Sequence, residues 1–233
     1  SDPDKRLRQM KDRIYSATAL LLVLTAVITL DRTCGVKWFS AGLITIVLCM
    51  GTAECYTLFR LRGLVRYPAA APGLWDVFFR ILQAVVCIGL PGAFLLVLLF
   101  QERGLLLVLY VVIVAKMVDN GALFVGRMMG RHNLAPKISP AKTVEGVFGG
   151  FFAGILTAVL LGPACVGGSL HFFLIFGVAI SLTSFLGDLT ESFLKRQAGV
   201  KDSGSLLSGI GGILDLMDSV LLSAPVGYSM LTW

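Results

Sequence analysis

The chain has 233 residues, of which 56% are hydrophobic and only 15% are charged, and its mean hydropathy is +0.85. Because soluble domains carry about 25% charged residues, this composition excludes an ordinary soluble domain and predicts an integral membrane protein. The net charge of +6 does not indicate nucleic-acid binding, since the sequence has no basic patch interleaved with aromatic residues. Its five cysteines are scattered without a Cys-x-x-Cys pair, so we expect neither a disulfide framework nor a zinc site.

Seven apolar segments follow a basic lead-in at residues 1–13. Each is near the roughly 20 residues needed to cross a hydrocarbon core, which predicts an all-α, polytopic transmembrane bundle. We divide it into N-terminal transmembrane helices at 14–125 and a C-terminal region at 126–233. Leu90-Pro91-Gly92 is expected to kink or break the third segment. The segments lie at 14–30, 36–59, 75–100, 105–125, 144–161, 170–193 and 213–232.

Basic residues are distributed unequally between the two sides of this bundle. Fifteen lie in the N-terminal lead-in and in the loops after the second, fourth and sixth segments, against three in the other loops. Loops rich in Lys and Arg stay on the cytoplasmic side of a membrane. The N-terminus and the two polar loops, 126–143 and 194–212, are therefore predicted to be cytoplasmic, in what we expect to be a bacterial inner or plasma membrane.

Several charged residues lie within or at the ends of the predicted spans. A charge at the centre of a span costs about 2.5 to 3.5 kcal/mol on translocon scales, so a group of them implies a shared, water-accessible cavity. Asp119 is too deep to reach the interface, and Lys116, one turn away, is expected to pair with it. Glu54, in contrast, is interpreted as a span-end residue whose side chain reaches the interface.

Carboxylates and glycines surround the loop between the last two spans. Asp215 and Asp218 lie one turn apart after a glycine-rich stretch, and either could simply favour the start of a helix. Clustered carboxylates repel one another unless a cation lies among them, and Mg²⁺ is usually held by one or two carboxylates plus substrate phosphates. The pattern therefore favours a cation site over an ion-pair network. A polar stripe on the sixth span completes it: Ser184, Asp188, Glu191 and Lys195, at positions i, i+4, i+7 and i+11.

Cationic residues and free backbone N–H groups supply the other half of a phosphate site. Lys195, Arg196 and Lys201 lie beside the carboxylates, and glycine-rich backbone at a helix start offers N–H groups to phosphate oxygens. The segment 137–145 adds Ser139, Lys142 and Thr143, although Thr143 could also cap the fifth span. Together these residues predict a site for a phosphorylated substrate.

The stretch SFLKRQAGVKDSGSLLSGIGGILDLMDS, at 192–219, resembles the signature of the phosphatidate cytidylyltransferase (CDP-diacylglycerol synthase) family. The shared elements are Ser-x-x-Lys-Arg, Lys-Asp-Ser-Gly and Gly-Gly-x-x-Asp-x-x-Asp-Ser. The segments GDLTES at 187–192 and VDNGALFVGRMMGRHNLAPKISPAKTVEG at 118–146 are also similar to that family. The resemblance covers the C-terminal half in register, whereas the N-terminal half matches only as apolar spans.

The resemblance implies an enzyme that makes CDP-diacylglycerol and pyrophosphate from CTP and phosphatidate at the cytoplasmic face of the bilayer. It implies Mg²⁺ as cofactor, with a second cation left open, and a homodimer is the one assembly that we consider. The implied metal ligands are Asp188, Asp215 and Asp218. The implied catalytic residues are Lys195, Arg196, Lys201, Asp202 and Asp218. The implied substrate-binding residues are Asp119, Ser139, Lys142, Thr143, Glu191, Ser192, Gly211 and Gly212.

The sequence departs from the family pattern at four positions. Ile210 replaces a common His and Leu216 a common Arg, while Ser208 and Leu123 replace Pro and Tyr. The region between the second and third segments is also shorter than the family pattern, which predicts that a pair of helices is missing there. Two alternatives stay open: a CTP-dependent enzyme acting on a polyprenol or ether-lipid phosphate, and an ion-coupled transporter using the intramembrane carboxylates.

Overall fold

The computed structural model describes residues 18, 22, 25–31, 33, 37–66, 73–136, 139–200, 203 and 212–232, with the backbone alone at 62–66, 140 and 141. Residues 25–31 are helical. After them the described ranges contain α1 (Trp38–Arg66), α2 (Leu74–Ala84), α3 (Leu90–Leu99), α4 (Gly104–Met129), β1 (Asn133–Ala135), β2 (Ser139–Thr143), α5 (Val144–Cys165), α6 (Leu170–Gln197) and α7 (Ile213–Thr232).

The predicted all-α polytopic bundle is confirmed. Five helical segments in the described ranges are long and apolar enough to cross a bilayer: Trp38–Leu61, Leu74–Leu99, Gly104–Met129, Val144–Cys165 and Leu170–Gln197. The last predicted segment forms α7 at the expected position, but this 20-residue helix is not among the five. The first predicted segment lies largely outside the described residues. The total of seven spans and the side of the N-terminus therefore stay predictions.

Helices α4 and α6 extend beyond the predicted ends of their spans, to Met129 and Gln197. Residues 126–129 and 194–197 are therefore helical, and the predicted loops 126–143 and 194–212 begin too early. Gly130 directly follows α4, and Gly199 lies two residues after the end of α6. Gly199 has a φ of +73°, and a glycine in this left-handed region commonly ends a helix. The loop after α4 also contains an antiparallel hairpin of β1 and β2, which the sequence did not predict.

Pro91 does not break the third predicted span. A π-helical turn at Val85–Gly89 joins α2 directly to α3, and the Leu90 N–H donates to the carbonyl of Val85. A proline cannot donate a hydrogen bond to the preceding turn, and a π turn is one way to absorb such a disturbance without ending the helix. The segment from Leu74 to Leu99 can therefore cross the membrane as one span.

Helix α5 packs through a face of small residues against α4 and α6. The members of this face are buried and repeat every four residues: Gly146, Gly150, Gly154, Ala158 and Gly162. A Cβ at Gly150 would lie 2.8 Å from the Val118 carbonyl of α4, and a Cβ at Gly154 would overlap Ser181 Oγ of α6. Small residues allow such close approach of helices in a membrane. The same face therefore brings α4, which carries Lys116 and Asp119, next to α6, which carries the polar stripe.

The packed centre of the bundle lies around α4. Tyr110 is fully buried, stacks on Phe176 with ring centroids 4.7 Å apart, and donates a 2.9 Å hydrogen bond to the carbonyl of Ala158. On the opposite face of α5, Phe148 and Phe152 are 72% and 71% exposed. Apolar residues this exposed are expected to face lipid.

Candidate functional site

A cavity of about 430 Å³ opens between α4, the hairpin, and the facing ends of α5, α6 and α7. This volume is within the range of small-molecule sites, about 300 to 1,000 Å³. Residues from the two halves of the predicted site meet here, although they are far apart in the sequence. Seven of the predicted site residues line it: Asp119, Ser139, Lys142, Thr143, Asp188, Asp215 and Asp218.

Two of the lining carboxylates, Asp119 and Asp218, belong to a network centred on Lys116. Its Nζ lies 3.0 Å from Asp119 Oδ2 and 3.5 Å from Asp218 Oδ1, and it donates to Ser219 Oγ at 2.8 Å. Ser219 Oγ in turn donates to Asp119 Oδ2 at 2.7 Å. The predicted pairing of Lys116 with Asp119 is confirmed. One cation thus joins carboxylates from α4 and α7, which offsets the cost of burying them.

Lys195 connects α6 to the start of α7. Its Nζ lies 2.7 Å from Glu191 Oε2 and 2.7 Å from Asp215 Oδ1. Asp215 Oδ2 accepts the backbone N–H of Gly212 at 2.9 Å and that of Ser203 at 3.4 Å. Both oxygens of Asp215 therefore have partners, one of them at the helix start, where a carboxylate is favoured.

Three carboxylates form a set that could hold a cation. Asp188, Glu191 and Asp218 each offer an oxygen within 4.8 Å of the other two. Glu191 is 5% exposed, and among the residues that the structure describes its buried Oε1 has no hydrogen-bond partner. Such an oxygen is costly unless a cation or water satisfies it. Two of the implied ligands, Asp188 and Asp218, belong to this set together with Glu191, while the third implied ligand, Asp215, does not.

The hairpin brings a cation to the same carboxylates. Lys142 Nζ lies 2.7 Å from Asp188 Oδ2, and the two side chains are 17% and 31% exposed. Thr143 Oγ1 accepts the N–H of Gly146 at 3.1 Å, so it caps α5 as the sequence suggested. Glu145 fixes the other end of the hairpin: its Oε1 lies 2.6 Å from His132 Nδ1 and its Oε2 accepts the Arg131 N–H at 3.1 Å.

Glu54 is not a snorkelling residue, and that prediction is wrong. It is 6% exposed, and its two carboxylate oxygens accept the N–H groups of Ile213 and Leu214 at 3.1 and 2.8 Å. The first N–H groups of a helix have no partner within the helix. At the start of α7 these N–H groups are satisfied by Glu54 of α1. Because the two partners are about 160 residues apart in the sequence, no local pattern could have indicated this contact.

A second, apolar cavity of about 250 Å³ lies on the other side of Asp218. Val86 and Cys87 of the π turn, with Leu194 of α6 and Leu221 of α7, form part of its wall. Glu191 and Asp218 are its acidic residues. Asp218 therefore lies between a cavity that several charged residues line and a cavity with a mainly apolar wall.

The remaining predicted residues lie at the edges of the site or outside the described part. Arg196, in the last turn of α6, donates to the carbonyl of Val200 at 3.5 Å. Ser192 is half-buried on α6, and Gly212 lies just before α7. Lys201, Asp202 and Gly211 lie outside the described residues. Two residues of the site are outside the predicted set: Ser219 belongs to the Lys116 network and Arg127 to the cavity lining. The pairing of Ser219 with α4 had no sequence signal.

Curated proteins similar to this chain are named phosphatidate cytidylyltransferases. One from Haemophilus influenzae is 44% identical over 132 residues, covering 53% of this chain and 44% of that protein. One from Staphylococcus aureus strain COL is 41% identical over 128 residues, covering 54% and 49%. One from Staphylococcus epidermidis strain ATCC 12228 is 43% identical over 128 residues, with the same coverage of 54% and 49%. The match spans about half the length of these relatives.

The profile of the family described as "Cytidylyltransferase family" matches residues 5–233, which is nearly the whole chain. It includes α1, with the buried Glu54, as well as the helices that carry the carboxylates. This integral membrane protein belongs to the cytidylyltransferase family.

Proposed function

We propose that this protein transfers CMP from CTP to phosphatidate, giving CDP-diacylglycerol and pyrophosphate. The observation that carries the proposal is the position of Asp218 between two cavities: charged residues that include Lys142 and Arg127 line the first, and mainly apolar residues line the second. The cations of the first cavity suit a nucleoside triphosphate, and the apolar wall of the second cavity suits a lipid. The names of the curated relatives support the same activity.

The carboxylate set suits Mg²⁺. Mg²⁺ prefers oxygen ligands and is commonly held by one or two carboxylates together with substrate phosphates. Asp188, Glu191 and Asp218 offer such oxygens, and the buried Glu191 Oε1 has no hydrogen-bond partner in the described part of the chain. Mg²⁺, when bound, would neutralise the phosphates of the substrates. A second cation and the role of Asp215 as a ligand stay predictions.

The reaction needs alignment and charge neutralisation more than a strong base. An oxygen of the lipid phosphate, already anionic, attacks the α-phosphorus of CTP. The bond from that phosphorus to the α–β bridging oxygen breaks, and pyrophosphate leaves with the bonding electrons. Positioning and electrostatic stabilisation dominate such transfers.

Individual residues have separate roles in this proposal. Lys142 and Thr143, with Ser139, orient the nucleotide from the hairpin, and Asp119 lines its cavity. Lys195 lies beside the carboxylates, where Glu191 and Asp215 hold its ammonium group. Arg196, Lys201 and Asp202 would complete the binding of the triphosphate and the lipid phosphate.

The cavity is proposed to open to the cytoplasm, where CTP is available. The excess of Lys and Arg in the loops on that side supports this orientation. Phosphatidate would approach laterally, past the π turn, and place its phosphate near Asp218. A homodimer is not required for any of these contacts.

The test is an assay of the detergent-purified protein with radiolabelled CTP, Mg²⁺ and a panel of lipid acceptors. Phosphatidate should give a lipid-soluble CMP product, and polyprenol and ether-lipid phosphates should give much less. A preference for one of those acceptors would replace the proposed substrate. The absence of product with every acceptor, from folded protein, would overturn the activity.

A further inference from the structure

The position before the first residue of α7 offers no side chain to cap the helix. The residue before it is Gly212, which has no side chain to accept the first N–H groups. Glu54 of α1 accepts the N–H of Ile213 with Oε1, at 3.1 Å, and that of Leu214 with Oε2, at 2.8 Å. A residue far away in the sequence therefore caps this helix.

Glu54 also accepts a hydrogen bond from Ser203, which precedes α7 in the chain. Ser203 Oγ donates to Glu54 Oε2 at 3.3 Å, and both side chains are buried, at 7% and 6% exposure. The Ser203 N–H donates in turn to Asp215 Oδ2 at 3.4 Å. Glu54 and Asp215 thus both accept a hydrogen bond from Ser203.

Within the part of the chain that the structure describes, no Lys or Arg forms an ion pair with Glu54. Its buried charge is instead stabilised by backbone donors and by the positive end of the α7 dipole. A buried carboxylate is expensive to keep in a membrane protein, which suggests a function beyond simple packing.

We propose that Glu54 is a positioning residue that fixes the first turn of α7, and with it Asp215 and Asp218, at the cavity. The proposal rests on the proposed function for its kinetic part. Asp215 directly follows Leu214, and Asp218 lies one turn further on, so rotation or fraying of this turn would move both carboxylates. A displacement of about 1 Å can lower a rate by about a hundredfold.

The chain offers a matched control in Asp31. Its two oxygens accept the N–H groups of Phe39 and Ser40, at 3.1 and 3.0 Å, at the start of α1, and it is 8% exposed. Asp31 thus has the same chemistry as Glu54, and it lines neither cavity. The two residues differ in the helix that they cap. Glu54 caps α7, which carries Asp215 and Asp218, whereas Asp31 caps α1, which carries no member of the carboxylate set.

The experiment compares Glu54→Gln with Asp31→Asn in detergent, by hydrogen exchange and by steady-state kinetics. Each amide places an N–H donor against a backbone N–H. Glu54→Gln should speed exchange at 212–218 and lower kcat about tenfold, the equivalent of one lost buried hydrogen bond, with KM for phosphatidate changed by less than about twofold. Asp31→Asn should speed exchange at 38–41 and leave kcat unchanged.

Unchanged hydrogen exchange at 212–218 in Glu54→Gln would overturn the proposal. Faster exchange together with a wild-type kcat would also overturn it, because Glu54 would then have only a structural role. If Glu54→Gln does not fold, Glu54→Asp, with both acceptors on a shorter stem, is judged by the same criteria. A wild-type protein that makes no lipid product would end the proposed function instead; exchange at 212–218 would then decide alone whether Glu54 holds the helix start.

Discussion

Lys142 Nζ of the hairpin lies 2.7 Å from Asp188 Oδ2 of α6, so the cation of one predicted half-site neutralises a carboxylate of the other. A cation bound among the carboxylates would compete with Lys142 for Asp188. Lys142 would then be available to a phosphate of the incoming nucleotide.

Replacement of Lys142 should therefore weaken CTP binding. Lys142→Ala removes a charge-assisted contact of the kind worth about 1.5 to 3 kcal/mol, so kcat/KM for CTP should fall roughly tenfold to a hundredfold. Lys142→Arg keeps the charge and should retain more activity. The measurement is initial rate against CTP concentration at saturating phosphatidate. A wild-type KM for CTP in Lys142→Ala would remove this residue from the nucleotide site.

Asp188→Asn and Asp215→Asn should each abolish turnover without unfolding the protein. Asp188 belongs to the set of oxygens within 4.8 Å, and Asp215 holds Lys195 at 2.7 Å. Loss of residues that only support a metal ligand costs about 10- to 100-fold, so we expect losses of at least about a hundredfold. The control is Asp76→Asn, an exposed carboxylate at the start of α2. Rates near wild type in Asp188→Asn would eliminate the proposed cation site.

Mg²⁺ should stabilise the folded protein before any substrate is added. A ligand that binds only the native state raises its stability by RT ln(1 + [L]/Kd), so the Tm in detergent should rise with Mg²⁺ concentration. The increase should be lost in Asp188→Asn and kept in Asp76→Asn. Chelation with EDTA should stop turnover and excess Mg²⁺ should restore it. Full activity in EDTA would contradict a Mg²⁺ requirement.

The small-residue face of α5 should tolerate no additional methyl group at Gly154. A Cβ there would lie 2.5 Å from Val118 Cγ2 and would overlap Ser181 Oγ. Overpacking of this kind costs about 1 to 3 kcal/mol, so Gly154→Ala should lower the unfolding midpoint in detergent. Gly42→Ala is the same change on α1, where a Cβ meets nothing within 4 Å, and should be neutral or stabilising. Equal midpoints for the two variants would contradict the close packing of α4, α5 and α6.

Local sequence patterns predicted the parts of the fold that depend on short-range periodicity. The bounds of α7 and the inward-facing stripe on α6 agree with the structure because apolar and polar residues repeat at helical spacing there. The continuation of α6 to Gln197 was missed because polar residues in its last turn resemble a loop. Polarity marks the end of the membrane core rather than the end of the helix.

Contacts between distant segments could not be predicted in the same way. Glu54 has no sequence signal that indicates Ile213 and Leu214 as its partners, since the interaction depends on how α1 and α7 pack. The meeting of Glu191 with Asp218 follows likewise from how α6 and α7 pack, whereas the family resemblance implied Asp215 as a ligand. Sequence thus indicated the chemistry of the site, and tertiary packing selected which carboxylates face each other.

The position of the label in CTP tests the central claim most directly. With phosphatidate and Mg²⁺, CTP labelled at the α-phosphate should transfer its label to the lipid, whereas CTP labelled at the γ-phosphate should release it as pyrophosphate. This result would establish attack at the α-phosphorus. Label from the γ-phosphate in the lipid, or no label from the α-phosphate, would contradict cytidylyl transfer.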